Sequence, residues 1–290
     1  MTGVLLKNEL LAKYTSWRVG GPAEQMYLPE DKDDLITFIS KLPKSGKMFW
    51  LGLGSNLLVR DGGIQGTVIN TRGRLKVMSM IDTNKVYVEA GVPCAHVARF
   101  CMGLGLTGAE FLAGIPGTMG GALKMNAGAF GGETWNIVET VEMINTRGQV
   151  SKRGVEAFEV AYRSVKGVED EWFLAVELLL TKGESELSQQ KIKDLLEQRA
   201  LTQPTNKPTC GSVFKNPPGD YAARLIDASG LKGYVIGGAC ISEKHANFIE
   251  NTGNATAADI ETLIEYIQQQ VLLQQGINLQ TEVCKVGEPL

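Results

Sequence analysis

No stretch of this chain approaches the roughly 18 unbroken apolar residues that a membrane helix needs, which excludes a helical membrane span. The first nine residues offer neither a basic start nor an apolar core of secretory length, so the protein is expected to stay in the cytoplasm. A dominant charge sign is lacking as well: 29 Lys and Arg against 32 Asp and Glu leave a net charge of −3, with no Lys/Arg block in the mixture. Nucleic acid is therefore not an expected partner. Cysteine is sparse. Cys94, Cys101, Cys210, Cys240 and Cys284 are odd in number, scattered and without a CxxC pair, which argues against disulfides and structural zinc. Cys94, His96 and Cys101 cluster, but on a helix His96 lies about 200° around from Cys94, so the three cannot converge on one ion. No metal site is expected.

Several nucleotide and hydrolase signatures are also missing. Gly46-Lys47 is followed by Met48, so there is no P-loop, and neither GxSxG nor HExxH occurs. Gly103-Leu104-Gly105-Leu106-Thr107-Gly108 has GxGxxG spacing, but the dinucleotide fingerprint requires a strand before it and a helix after it. Here the pattern predicts a helix before it. There is no internal repeat and no low-complexity tract.

What is present is a globular composition, 43% hydrophobic and 21% charged, in 290 residues, enough for about two domains or three small ones. Glycine is in excess: 34 of 290, with five in 52–66 and ten in 103–132. Such loops turn tightly or approach a ligand closely. Leu35, Ile36, Ile39 and Leu42 predict a helix, and Met48-Phe49-Trp50-Leu51 a strand entering the first glycine loop. Residues 85–90 alternate as a strand, Pro93 opens a short helix with Val97, Cys101 and Leu104 on one side, and 138–150 reads as a hairpin. Trp172 to Leu180 is a strongly apolar strand. From Ser185 the composition turns polar, and Ile192, Leu195, Leu196 and Arg199 mark an amphipathic helix, which sets a domain boundary near 184. A strand at 234–236, a helix carrying Ile260, Leu263, Ile264, Ile267 and Val271, and a final strand over 280–286 complete the pattern.

Gly52-Leu53-Gly54-Ser55-Asn56-Leu57-Leu58-Val59 follows a strand and suits a nest of backbone N–H groups around a pyrophosphate, although a structural turn fits it equally well. A second small-residue run, Gly114 to Ala122 followed by Asn126-Ala127-Gly128-Ala129, is too long for one turn and nearly uncharged. Two such loops favour a large phosphorylated cofactor.

These loops, together with Thr15-Ser16-Trp17-Arg18-Val19-Gly20-Gly21-Pro22-Ala23, Tyr162-Arg163-Ser164, Gly211-Ser212-Val213-Phe214-Lys215-Asn216-Pro217, Gly237-Gly238-Ala239 and Ser242-Glu243-Lys244-His245-Ala246-Asn247-Phe248, resemble the UDP-N-acetylenolpyruvoylglucosamine reductase (MurB) family in order from about residue 15 to 285. The resemblance implies an α+β fold: a two-part FAD-binding module of the vanillyl-alcohol-oxidase/PCMH type in residues 1–72 and 73–184, then a smaller α+β substrate domain in 185–290 whose terminal strand reaches the active site. FAD would be held noncovalently by Gly52, Leu53, Gly54, Ser55, Asn56, Leu57, Ile115, Pro116, Gly117, Thr118, Gly121, Asn126, Ala127 and Gly128. NADPH would reduce it, and the enolpyruvyl ether of a UDP-sugar would become a lactyl ether, giving UDP-N-acetylmuramate. The partners implied are these small molecules, with a monomer favoured over an oligomer.

The resemblance also distributes roles. Arg163 would grip the substrate carboxylate through its planar fork, Glu282 in neutral form would hydrogen-bond the same group, and Ser212 would protonate the carbon beside the hydride acceptor. Tyr162, Arg199, Lys215, Asn216 and Lys232 would contact the nucleotide-sugar, with His245 a structural donor. Taken singly, a Ser between Gly and Val is most often a turn hydroxyl, an Arg beside Tyr a surface ion pair, and a Glu near a terminus a solvated one. Only eight residues separate Arg163 from Trp172, leaving no room for the tyrosine-bearing insertion of longer relatives, and Cys210 stands where relatives often have Ala. The rivals are a hydrolase using Cys210 or Ser212 with His245, another FAD oxidoreductase on the same module, and a catalytically silent flavoprotein.

Overall fold

The computed structural model describes residues 2–43 and 46–290; Met1, Lys44 and Ser45 lie outside them. The chain divides into two compact units. One comprises Met1–Leu6, Met26–Leu53 and Gly66–Gln198, and the other Lys7–Gln25, Gly54–Gln65 and Arg199–Leu290. Among the described residues no helix is long and apolar enough to cross a membrane.

The first unit is built on a five-stranded antiparallel sheet in the order Val150–Gly154, Val138–Asn145, Glu171–Leu179, Lys85–Glu89, Met78–Asp82. The central strand explains its own composition. Phe173, Val176 and Leu178 face a core shared with helices α2 (Cys94–Gly103) and α3 (Met119–Met125), while Leu174 joins the cluster of Leu35, Phe38 and Ile39 on α1 (Lys32–Ser40). Both faces are covered along Phe173–Val176, so this stretch is continuously apolar rather than alternating. Asp31 caps α1 by accepting from Asp34 N–H at 2.8 Å, which starts the predicted helix. The predicted α2 is present with Val97 and Cys101 buried, but Leu104 lies beyond its end and is exposed. Pro93 is extended and precedes the helix rather than being its first residue. A helix does precede Gly103–Gly108, and a short 3-10 helix, not an α-helix, follows it.

The helix predicted from Ser185 is α4 (Ser185–Thr202). The second unit places α5 (Ala222–Ala228) and α6 (Ala257–Gln275) around a core that includes Trp17, Leu58, Phe214, Ile260, Leu263, Ile264 and Ile267. Thr256 and Asp259 cap α6 reciprocally and Gly276 closes it at φ 69. A three-stranded antiparallel sheet, 235–236, 239–241 and 249–251, lies in the same unit.

The terminal segment departs from the sequence reading. Only Cys284–Val286 forms a strand, parallel to Leu57–Val59, and the residues before it bond elsewhere. Lys215 N–H donates to Gln280 O at 2.9 Å and Glu282 N–H to Val213 O at 2.8 Å. Val283 N–H still reaches Val213 O, and Cys284 N–H turns to Asn56 O, so the segment changes partner between Val283 and Cys284 and a single regular strand over 280–286 does not form.

Candidate active site

The first glycine loop begins where the strand Met48–Leu51 runs parallel to Thr67–Asn70 and ends. A Cβ on Gly52 would come within 2.5 Å of Thr118 Oγ1, so a side chain is excluded there and the start of one loop lies against the second. Thr118 is buried ahead of α3 and makes no capping bond with its side chain. Gly121 differs: a Cβ there would meet nothing nearer than Thr118 Oγ1 at 3.9 Å. Glycine costs roughly 1 kcal/mol relative to alanine within a helix, and no neighbour at Gly121 requires it. The open position at Gly121, near the start of the helix that follows the second loop, fits a bound dinucleotide such as FAD. Replacing Gly121 with leucine should therefore lower the flavin content of the purified protein severalfold while the melting temperature of flavin-stripped protein stays within a few degrees. Full flavin content would show that this surface does not face the cofactor.

Asn126, Ala127 and Gly128 are occupied by the protein's own framework. Asn126 ends α3 in the left-handed region at φ 44 and is buried. Its Nδ2 donates to Glu133 Oε2 at 2.8 Å and to Ala161 O at 3.2 Å, and its Oδ1 accepts from Trp135 N–H at 3.1 Å. Ala127 O accepts from both Thr134 N–H and Thr134 Oγ1.

That framework seats Arg163. Strands Glu159–Ala161 and Ser164–Lys166 form a hairpin whose two turn residues are Tyr162 and Arg163. Arg163 has φ 53, a region that bulky side chains seldom occupy and that clusters at functional positions. Its Nη2 donates to Gly128 O at 3.1 Å and its Nη1 to Asn126 O at 3.5 Å, with the guanidinium 5.1 Å from the exposed Tyr162 ring. The arginine is thus anchored by two backbone carbonyls of the loop that follows α3.

In the second unit, Gly54 is at φ 59, and a Cβ there would come within 2.2 Å of Tyr14 O. The turn that follows it, with Ser55 half-buried, is tied to the remaining expected residues. Cys210 Sγ donates to Gly54 O and to Leu57 O, both at 3.5 Å. Asn56 Nδ2 donates to Glu282 O at 3.1 Å, and Cys284 N–H to Asn56 O at 3.0 Å. Ser212 is half-buried between Gly211, at φ 72, and the fully buried Val213. The bond from Glu282 N–H to Val213 O brings the two segments carrying Ser212 and Glu282 side by side.

The other expected contacts divide. Arg199 is half-buried, its Nε donates to the neutral Gln203 Oε1 at 3.2 Å, and burial pulls its pKa down. Such a guanidinium suits an anion. Lys215 is half-buried beside the Ser212 segment, whereas Asn216 is exposed and its Oδ1 accepts from Ala222 N–H at 3.1 Å, closing the turn into α5. Lys232 pairs with Asp227 at 2.8 Å. His245 Nδ1 accepts Asn247 N–H at 3.3 Å, and burial lowers its pKa. With Nδ1 accepting, the neutral ring carries its proton on Nε2. Cys210 is fully enclosed and burial pushes its thiol up to about 12, which removes it as a hydrolytic nucleophile.

Sequence reasoning gave no role to Asn247, although its side chain joins the backbone of Phe214 twice. A buried asparagine signals a partner without naming it.

A family model described as "UDP-N-acetylenolpyruvoylglucosamine reductase, C-terminal domain" matches residues 203–286, and one described as "FAD binding domain" matches residues 23–153. Among curated relatives, the UDP-N-acetylenolpyruvoylglucosamine reductase of Methylococcus capsulatus is 58% identical over 99% of this chain and 94% of its own length. That of Nitrosococcus oceani is 56% identical over 99% and 96%. The crystal structure of the Thermus caldophilus reductase superposes with a TM-score of 0.83 at 33% identity, covering 98% of this chain and 99% of the other.

Proposed function

The chain belongs to the UDP-N-acetylenolpyruvoylglucosamine reductase family, and on that premise we propose that it reduces the enolpyruvyl ether of UDP-N-acetylglucosamine to the lactyl ether of UDP-N-acetylmuramate, a step of peptidoglycan precursor synthesis, acting as a cytoplasmic monomer. FAD, when bound, would supply the chemistry of hydride transfer between NADPH and the substrate. The glycine loops at 52–57 and 115–121 hold it noncovalently, and the framework of Asn126 to Gly128 supports them.

The chain's own residues handle charge and protons. A vinyl ether accepts hydride poorly unless the negative charge that develops can spread onto the adjoining carboxylate. Arg163 grips that carboxylate, and the seat formed by the carbonyls of Asn126 and Gly128 fixes its plane. Glu282, as the neutral acid, hydrogen-bonds the same group. The carbon beside the hydride acceptor then becomes strongly basic, and the Ser212 hydroxyl delivers its proton. Arg199 and Lys215 meet the diphosphate.

The observation that carries this reading is the bond between Glu282 N–H and Val213 O, which sets two distant stretches of sequence, each with a proton-bearing side chain, next to one another. The test is stopped-flow absorbance: NADPH should bleach the yellow protein and the enolpyruvyl sugar should restore its colour. A colourless protein, or one that NADPH bleaches and the sugar leaves bleached, would refute the assignment. Arg163→Lys keeps the charge but loses the fork, so it should slow the return of colour by about 10²-fold while bleaching stays near the parent rate. Equal rates in both halves would leave Arg163 a packing role only.

A further inference from the structure

The serine assigned above to proton delivery sits on a short segment with no helix or long strand of its own, and its placement has to come from elsewhere. Asn247 supplies it. The residue is 3% exposed, and its Oδ1 accepts from Phe214 N–H at 2.9 Å while its Nδ2 donates to Phe214 O at 2.8 Å. Its own carbonyl accepts Val213 N–H at 2.9 Å. A side-chain amide thereby reproduces the paired bonds that a neighbouring strand would make. On the other edge the same two residues meet the terminal segment, through Glu282 N–H to Val213 O and the bridge between Phe214 and Thr281. The 213–214 backbone is held from both sides, one residue after Ser212.

We propose that Asn247 is a positioning residue for the reduction: it holds Val213 and Phe214 in register with the terminal segment, and so fixes the Ser212 hydroxyl relative to Glu282. This rests on the assignment of Ser212 as proton donor. Alanine at 247 would leave a buried N–H and a buried carbonyl of Phe214 unpaired, and the segment would relax to repair them. A displacement of about 1 Å at a reacting group can cost on the order of 10²-fold in rate. Asn247 acts on the segment that carries the proton donor, so the half-reaction with NADPH, which needs no proton from it, should be spared.

The experiment compares flavin-loaded Asn247→Ala, Asn247→Asp and Ser212→Ala with the parent. Asn247→Asp retains the shape and the acceptor but sets a carboxylate against Phe214 O. Both Asn247 variants should bleach with NADPH within about twofold of the parent and regain colour on the order of 10²-fold more slowly, with an increased solvent isotope effect on that return. Amide hydrogen exchange at Val213 and Phe214, read without substrate, should accelerate at least tenfold in Asn247→Ala. Return of colour at the parent rate would overturn the proposal, as would equal slowing of both half-reactions or failure of both variants to take up flavin. The arms separate the two readings: a normal Ser212→Ala removes the donor assignment, whereas a slow Ser212→Ala beside a normal Asn247→Ala removes the positioning role alone.

Discussion

Ser212→Ala should reduce its flavin with NADPH at close to the parent rate and then return the electrons to the enolpyruvyl sugar at least 10²–10⁴-fold more slowly, the range lost with a general acid. The asymmetry follows from where a proton is needed. Reduction of the flavin by NADPH requires none from Ser212, whereas the carbon left basic by hydride arrival has no second hydroxyl among the residues assigned to it. The variant should also fold. The bonds that fix this segment are made by the backbone of Val213, Phe214 and Lys215 with Asn247, Glu282 and Gln280, and none uses the serine hydroxyl. Stopped-flow absorbance resolves the halves. Recovery of colour at the parent rate would remove Ser212 as donor, and slowing in both halves would point to a displaced flavin.

The second large effect concerns stability. Glu110 is 3% exposed, and its carboxylate accepts from Thr107 Oγ1 at 2.6 Å, Ser188 Oγ at 2.8 Å and Gly108 N–H at 3.1 Å, with Lys191 Nζ at 3.3 Å. Burial alone would raise its pKa, but the bonds from Thr107, Ser188 and the backbone outweigh it and bring it down to about 2. A carboxyl lowered from 4.5 to about 2 stabilises the folded chain by about 3 kcal/mol wherever it is ionised in both states. The sign is that of a depressed acid: the contribution is complete above pH 4.5 and disappears as pH falls toward 2. Glu110→Ala also leaves the donors unpaired, so at pH 7 a cost of about 3–5 kcal/mol is expected, a fall in melting temperature on the order of 10 °C. The gap between variant and parent should narrow as thermal melts are taken from pH 7 to pH 3. A gap independent of pH would mean that packing, not charge, makes the difference.

The same carboxylate shows where sequence reading stops. Glu110 lies two residues after a GxGxxG string that, as expected, follows a helix rather than a strand. Nothing local could say that the acid would be buried against Ser188, 78 residues away. The elements themselves were legible wherever one surface is covered: α1, α2, α4, α6 and the hairpin at 138–154 each carry the period of their own burial. The final strand was not fully legible, because a short run over 280–286 is compatible with one partner or with two, and the chain uses two.

By itself the sequence determined the glycine loops, helices α1, α2, α4 and α6, and the residue types needed for the chemistry, since backbone conformation and periodicity are local properties that nearest neighbours decide. The tertiary structure alone decided which of those residues are available. It committed Asn126 to Glu133 and Trp135, Lys232 to Asp227 and the amide of Asn247 to Phe214, and it set Arg199 against the neutral Gln203. It also set Glu282 beside Val213 across 69 positions of sequence, because a buried N–H must find a carbonyl and the chain offers one only after it has folded.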